Sequence, residues 1–183
     1  ASYLDRNTST WIEKEWYGLD STDYVHGEEV WTDGTDIYYS YGSDKQYYLD
    51  RSTSTWIQKT WSGMSSFRGE DIWTDGVQIF GSQGSYQYIL DVQTSTWIAV
   101  DWRQGTEAFI MYGKYIWTDG TNYYYSHGSD QYVLDTQNIS YQTKTWNSYR
   151  SLEGDLIWTD GTDIYYSDSE YSFNYPMYCA SDN

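Results

Sequence analysis

Apolar and polar positions alternate over short runs along the chain, and those runs are rich in tyrosine, tryptophan, isoleucine and valine. A period of two puts successive side chains on opposite faces of an extended strand, a setting that β-branched and aromatic residues favour. Helix signals are weak throughout. Residues 69–102 show the pattern best and predict four strands: GEDIWTDG, VQIFGS, YQYILDV and STWIAVDW. The Asp-Gly of WTDG predicts a type I′ hairpin between the first two, because that turn needs positive φ. The segments YGSDKQ, SQGSYQ and SHGSDQ predict the turn between strands two and three.

The pattern repeats. WTDG recurs at Trp31, Trp73, Trp117 and Trp158, in steps of 42, 44 and 41 residues. A second tryptophan position falls at Trp11, Trp56 and Trp97, with Tyr141 in the fourth copy. A third falls at Trp16, Trp61, Trp102 and Trp146, which accounts for all 11 tryptophans. Four antiparallel strands in about 40–45 residues is the period of a propeller blade. A lone four-stranded sheet cannot cover both faces, and indoles suit the wedge between radially packed sheets. The chain opens with strands three and four of a unit (SYLDRNTSTWIEKEW), runs through three complete units, and ends with strands one and two (DLIWTDGTDIYYS). The expected fold is therefore an all-β, four-bladed β-propeller of four-stranded antiparallel blades. Its N-terminal strands 3–4 pair with its C-terminal strands 1–2, which removes open sheet edges. The propeller is expected over residues 1–168, with blades at 1–19 together with 155–168, 27–63, 69–104 and 113–148. Residues 169–183 form a C-terminal tail without repeat counterpart, either a competing third strand or a link to a neighbour. Exchange of half-blades between two copies is the alternative to closure within one chain, so the expected state is a monomer or a half-blade-exchanged homodimer.

One stretch, MSSFRGEDIWTDGVQIFGSQGSYQYILDVQTSTW (64–97), resembles a kelch repeat, the unit also found in the propeller of galactose oxidase-like proteins. The basic residue before strand one (Arg68), the turn, the small residues ending strand two and the LD..TSTW of strands three and four carry the likeness. It extends over about residues 2–168. The Gly-Gly doublet usual after strand two is replaced by YSYGS, GSQGS and YSHGS. The Tyr-rich copies also resemble repeat arrays of bacterial and bacteriophage proteins. Kelch-like propellers imply binding platforms for proteins or sugars, and galactose oxidases imply copper.

Charge and composition narrow the chemistry. With 27 acidic and 10 basic residues the net charge is −17, which lacks the basic footprint of a nucleic-acid binder. No apolar run approaches a membrane span, so no membrane insertion is expected. Copper or zinc needs two or three His or Cys ligands, and the chain offers only His26, His127 and Cys179. No metal and no cofactor is expected. There is no G-x-S-x-G elbow for a serine hydrolase. Carboxylates at Glu28, Glu29, Glu70, Asp71, Glu153 and Asp155 cluster at one end of strand one, but Lys114 and Tyr115 interrupt the ring that a glycoside hydrolase would use. The aspartates of LD (Asp5, Asp50, Asp91, Asp135) are expected to cap the TST-type turns.

Within such a chain, identical positions serve the scaffold and varying positions are free for a ligand. The loops from strand four to the next strand one vary most, and their lengths between flanking tryptophans alternate 14, 11, 14 and 11. A glycine precedes strand one each time (Gly27, Gly69, Gly113, Gly154), and the residue before it changes: His26, Arg68, Tyr112, Glu153. With Tyr24, Phe67, Phe109 and Met111 these form the expected ligand-binding set at an axial mouth. The expected function is a non-catalytic binding scaffold for a glycan or protein ligand, on an extracellular or virion structure. The alternatives are a structural module that self-assembles and, last, a glycoside hydrolase.

Overall fold

The computed structural model describes residues 2–19, 25–43, 45–64, 66–102, 110–146, 151–167 and 175–177. The described chain is all-β, in small antiparallel sheets joined by tight turns. It divides into two compact units, Ala1–Glu70 with Val92–Thr96 and Asp71–Asp91 with Trp97–Asn183.

The first unit opens with a hairpin of β1 (Ser2–Asp5) and β2 (Thr10–Glu13), which pair from Ser2↔Glu13 to Asp5↔Thr10. A complete sheet follows in the order β3 (Val30–Thr32), β4 (Ile37–Gly42), β5 (Lys45–Asp50) and β6 (Thr55–Gln58). A short β7 (Phe67–Arg68) adds to β4. In the second unit β8 (Ile72–Thr74), β9 (Ile79–Gln83), β10 (Tyr86–Asp91) and β11 (Thr96–Val100) make one sheet. Strands β12 (Ile116–Thr118), β13 (Tyr123–Gly128), β14 (Asp130–Asp135) and β15 (Ser140–Thr143) make the next, and β16 (Leu152–Glu153) adds to β13. The last sheet holds β17 (Ile157–Thr159), β18 (Ile164–Tyr166) and β19 (Tyr175–Met177).

That last sheet departs from expectation. The edge of β18 reserved for the N-terminal strands carries β19, in register from Ile164↔Met177 to Tyr166↔Tyr175, and among the described residues β1 pairs with β2 alone. A nearby tail closes a short loop, whereas the N-terminal strand must close one spanning most of the chain, and loop entropy favours the shorter closure. The terminal half-sheets leave core positions uncovered. Leu4 is 42 % exposed against 6 % for Leu49, Trp11 68 % against 4 % for Trp56, and Trp158 54 % against 7 % for Trp31.

The WTDG hairpins form, but not as type I′ turns. Thr32 pairs with Ile37, so the loop is four residues long. Gly34 takes φ +90°, while no aspartate among the described residues has positive φ. The side chains explain the longer loop. Asp33 Oδ1 accepts from the amides of Thr35 and Asp36, Thr32 Oγ1 accepts from Gly34 N–H, and the Thr32 hydroxyl donates to Asp36 O. The arrangement recurs around Asp75, Asp119 and Asp160. A tyrosine hydroxyl adds a further bond at three of the four, Tyr38 to Asp33, Tyr124 to Asp119 and Tyr165 to Asp160; Phe80 stands in that place above Asp75. Burial pushes the Asp119 carboxyl up, but the amides of Asn122 and Thr121 and the Tyr124 hydroxyl outweigh it and hold it below its ordinary value. A folded pKa below the unfolded one stabilises above the unfolded value, and that stability is lost as pH falls through the folded one. The unfolding midpoint should therefore drop as pH falls below about 4, and Asp119→Asn should flatten that dependence in thermal melts from pH 5 to pH 2.5.

The LD aspartates cap the outer hairpins as expected. Asp50 accepts from the Ser52 amide and the Ser52 and Thr53 hydroxyls, and Asp135 from the amides of Gln137 and Asn138. Each such loop ends in a left-handed residue: Ser9, Ser54, Ser95 and Ile139, at φ 53°, 57°, 54° and 50°. Left-handed backbone costs an L-residue about 1 kcal/mol, which glycine avoids at the expense of unfolded-state entropy. Ser54→Gly and Ser95→Gly should each raise the melting temperature by about 1–3 °C.

Tryptophans organise the packing. Trp31, Trp73 and Trp117 each donate Nε1–H to the serine nine residues on, Ser40, Ser82 and Ser126, which ties strand one to strand two inside the core. Each also stacks on the ring at Tyr38, Phe80 or Tyr124, and Trp61, Trp102 or Trp146 closes a triad of rings. Trp158 stacks on Tyr165 at 4.3 Å. In the second unit Phe80, Trp102, Met111, Tyr125 and Leu134 form one buried cluster, and Trp117, Tyr124 and Ile164 another, each spanning two successive sheets.

Candidate functional site

Every complete repeat is entered in the same way. The strand-one segment of the GEDIWTDG pattern is shorter than expected, because its first residues form a 3-10 turn: Gly27–Glu29, Gly69–Asp71, Gly113–Tyr115 and Gly154–Leu156. Ahead of the last three of these turns, the chain lies against strand two of the preceding sheet. Arg68 pairs with Tyr41 and Phe67 with Gly42; Glu153 pairs with His127 and Leu152 with Gly128. Met111 makes the matching contact, donating its amide to Gly84 O at 2.9 Å.

One glutamine per sheet fixes this junction. Gln46 donates its side-chain amide to Gly42 O and Phe67 O, Gln87 to Gly84 O and Met111 O, and Gln131 to Gly128 O and Leu152 O. The turns then pack so tightly that a Cβ on Gly69 would fall well inside 3.0 Å of the Glu29 carbonyl. The same holds for Gly113 against Asp71 and Gly154 against Tyr115. Gly27 has no described atom within 4 Å of that position.

The geometry sorts the expected ligand set. Phe67 and Met111 are fully buried and belong to the packing, not to an open mouth. Their side chains face inward because the backbone at 67 and 111 is pinned to the preceding sheet. Tyr24 and Phe109 lie outside the described residues. His26 is exposed just ahead of its turn. Arg68 is engaged: Nε donates to Glu29 Oε1 at 2.7 Å, Nη2 pairs with the same oxygen, Nη1 lies 2.9 Å from Glu70, and the guanidinium sits 5.1 Å over Tyr41. Glu29 is fully buried, and the hydrogen bond to it raises the Arg68 pKa further above its usual value.

Tyr112 and Glu153 come together with two residues that the sequence reading did not select, Tyr115 and His127. Tyr115 stacks on the His127 ring at 4.4 Å and 9°, and Tyr112 stands edge-on to both at 6.3 Å. His127 Nε2 lies 3.8 Å from Glu153 Oε2, while Glu153 Oε1 accepts the Gly128 amide at 3.1 Å. Lys114 Nζ lies 5.1 Å over Tyr115. Beneath them burial pushes the Tyr125 phenol well above its ordinary pKa. The side chains of His127 and Glu153 and the Tyr112 ring all remain part-exposed. The result is a surface cluster of aromatic faces beside an imidazole and a carboxylate. Its signal in the sequence was the position before the strand-two glycine (Tyr41, Gln83, His127), which pairs across to the variable residue before the next turn.

Among the described residues no group of three His, Cys, Asp or Glu side chains is placed to hold a metal ion. Nor is any helix there long and apolar enough to cross a membrane. Compared with known proteins, the sequence matches no family model and no curated protein.

Proposed function

We propose that the protein is a non-catalytic binding scaffold, a four-bladed kelch-like propeller that holds a glycan on the cluster of Tyr112, Tyr115, His127 and Glu153. The juxtaposition of those side chains carries the reading. The C–H face of a sugar stacks on an aromatic ring, and its hydroxyls exchange hydrogen bonds with an adjacent imidazole and donate to an adjacent carboxylate. Both partners rest on strands pinned by Gln131, so the cluster is organised before a ligand arrives. A glycan array on the whole chain tests it. Binding to one class of saccharide is expected, with Tyr112→Ala and Glu153→Gln each weakening it by roughly tenfold or more. Silence across the array, or binding that survives both substitutions, would overturn the glycan reading.

Closure of the fourth blade within one chain completes the proposal. The uncovered Leu4, Trp11 and Trp158, whose counterparts in the full sheets are buried or partly buried, support it. The register of β4 on β5, transferred to the half-sheets, sets Tyr165 opposite Tyr3 and Tyr166 opposite Ser2, with β19 displaced. A Ser2→Cys/Tyr166→Cys pair in a Cys179→Ser background should form an intramolecular disulfide on oxidation. The same exposed indoles favour a second reading, assembly by half-blade exchange, which the experiment would reveal as a disulfide-linked dimer. Absence of any cross-link would refute both.

A further inference from the structure

Away from the aromatic cluster, the second unit carries a groove of about 520 Å³ between the turn at Asp75 and the β14–β15 hairpin. Asp75, Asp135, Thr121, Thr136, Tyr123 and Tyr141 are among its walls, and among the described residues no lysine or arginine lines it. Both carboxyls are held in their charged form. At Asp75 burial works against this, but the Gln78 amide, the Thr136 hydroxyl and the Val77 amide prevail; at Asp135 the Asn138 side chain and amide lead.

The first repeat shows what such a place accommodates. Thr136 and Thr121 correspond to Arg51 and Thr35. There the Arg51 guanidinium reaches back across the loops and donates to the Thr35 carbonyl. In the later repeat a short threonine stands at the arginine's position, and Asp75, Asp135, Tyr123 and Tyr141 line the groove beside it. A guanidinium brought by another molecule would find the carbonyl of Thr121, two carboxylates for charge-assisted hydrogen bonds, and tyrosine rings for cation–π contact.

We propose that this groove is a binding site for an arginine side chain of a basic peptide, which takes the place that Arg51 fills internally in the first repeat. The chain's net charge of −17 draws such a partner in at long range. The site is separate from the Tyr112 cluster and does not depend on the glycan reading.

The test is a titration of the ¹⁵N-labelled whole chain with acetyl-Gly-Arg-Gly-amide and with its neutral citrulline counterpart. The arginine peptide should shift the amides of Thr121, Tyr123 and Thr136, with the citrulline peptide weaker by roughly tenfold. Thr136→Arg, which restores the arrangement of the first repeat, should abolish the shifts. Asp75→Asn keeps an oxygen to cap its turn and should weaken them. Tyr112→Ala should leave them unchanged, so failure here and failure of the glycan proposal are told apart. No shift with the arginine peptide, equal shifts from both peptides, or shifts that persist in both groove variants would overturn the proposal.

Discussion

Gly113→Ala is expected to destabilise the protein by about 3 kcal/mol or more, read as a shift of the urea unfolding midpoint. The obstacle is backbone, not side chain. The new methyl falls on the carbonyl of Asp71, and neither partner can turn away, because Met111 is hydrogen-bonded to Gly84 and the strand after the turn is fixed by Trp117. Gly69→Ala and Gly154→Ala meet the carbonyls of Glu29 and Tyr115 and should behave alike. Gly27→Ala is the informative member of the series. Under the proposed closure its turn gains a neighbour, and the substitution should cost as much as the others. A loss within about 0.5 kcal/mol, ordinary for an unobstructed surface position, would show that Gly27 faces open space and that the ring does not close.

Arg68→Ala should cost about 2–3 kcal/mol of folding stability, because it strands the carboxylate of Glu29. A buried ion pair adds little when complete, but a buried charge left alone is costly. Here the arginine is part-exposed and water can reach some of the vacated space, which places the loss at or below the bottom of the usual range of about 3–5 kcal/mol. Arg68→Lys keeps the charge but not the planar fork, and should recover only part of the loss. Replacing both members, Arg68→Met with Glu29→Gln, should be milder than Arg68→Ala alone. If Arg68→Ala left the denaturation midpoint unchanged, the pair would have no part in holding the two segments together.

These expectations show what could be read from the chain and what could not. The tryptophan spacing announced the sheets because each indole serves a local duty: a bond to the serine nine residues on and a stack on the ring of strand two. Such short-range pairings leave a period in the sequence. The aspartate caps of the outer loops were equally legible, since an Asx turn closes within three residues. The WTDG turn was misjudged because Asp-Gly signals two opposite geometries. Only the threonine before it, whose hydroxyl bonds across the loop, selects the four-residue form.

The site was less legible for a physical reason. Whether Phe67 or Met111 faces solvent depends on the pairing of its backbone with the preceding sheet, a contact tens of residues away in sequence. The same non-local pairing brings His127 beside Glu153 and Tyr115, residues that no motif connects. Which of the tail and the N-terminal strands takes the edge of β18 was not legible, because both candidates are short, four residues in β1 and three in β19.

The glutamine junctions have a consequence for how the chain tolerates being cut. Since Gln46, Gln87 and Gln131 each fasten the entry of one repeat to the sheet before it, the sequence repeat and the structural sheet are out of step, and no repeat can be excised without stripping its predecessor. New termini, as in circular permutation, belong instead at the outer hairpin tips around residues 51–54 and 92–95. There a nick spares the glutamine splices, and touches only the lighter ties in which Ser54 O and Ser95 O accept the amides of Tyr17 and Ser62.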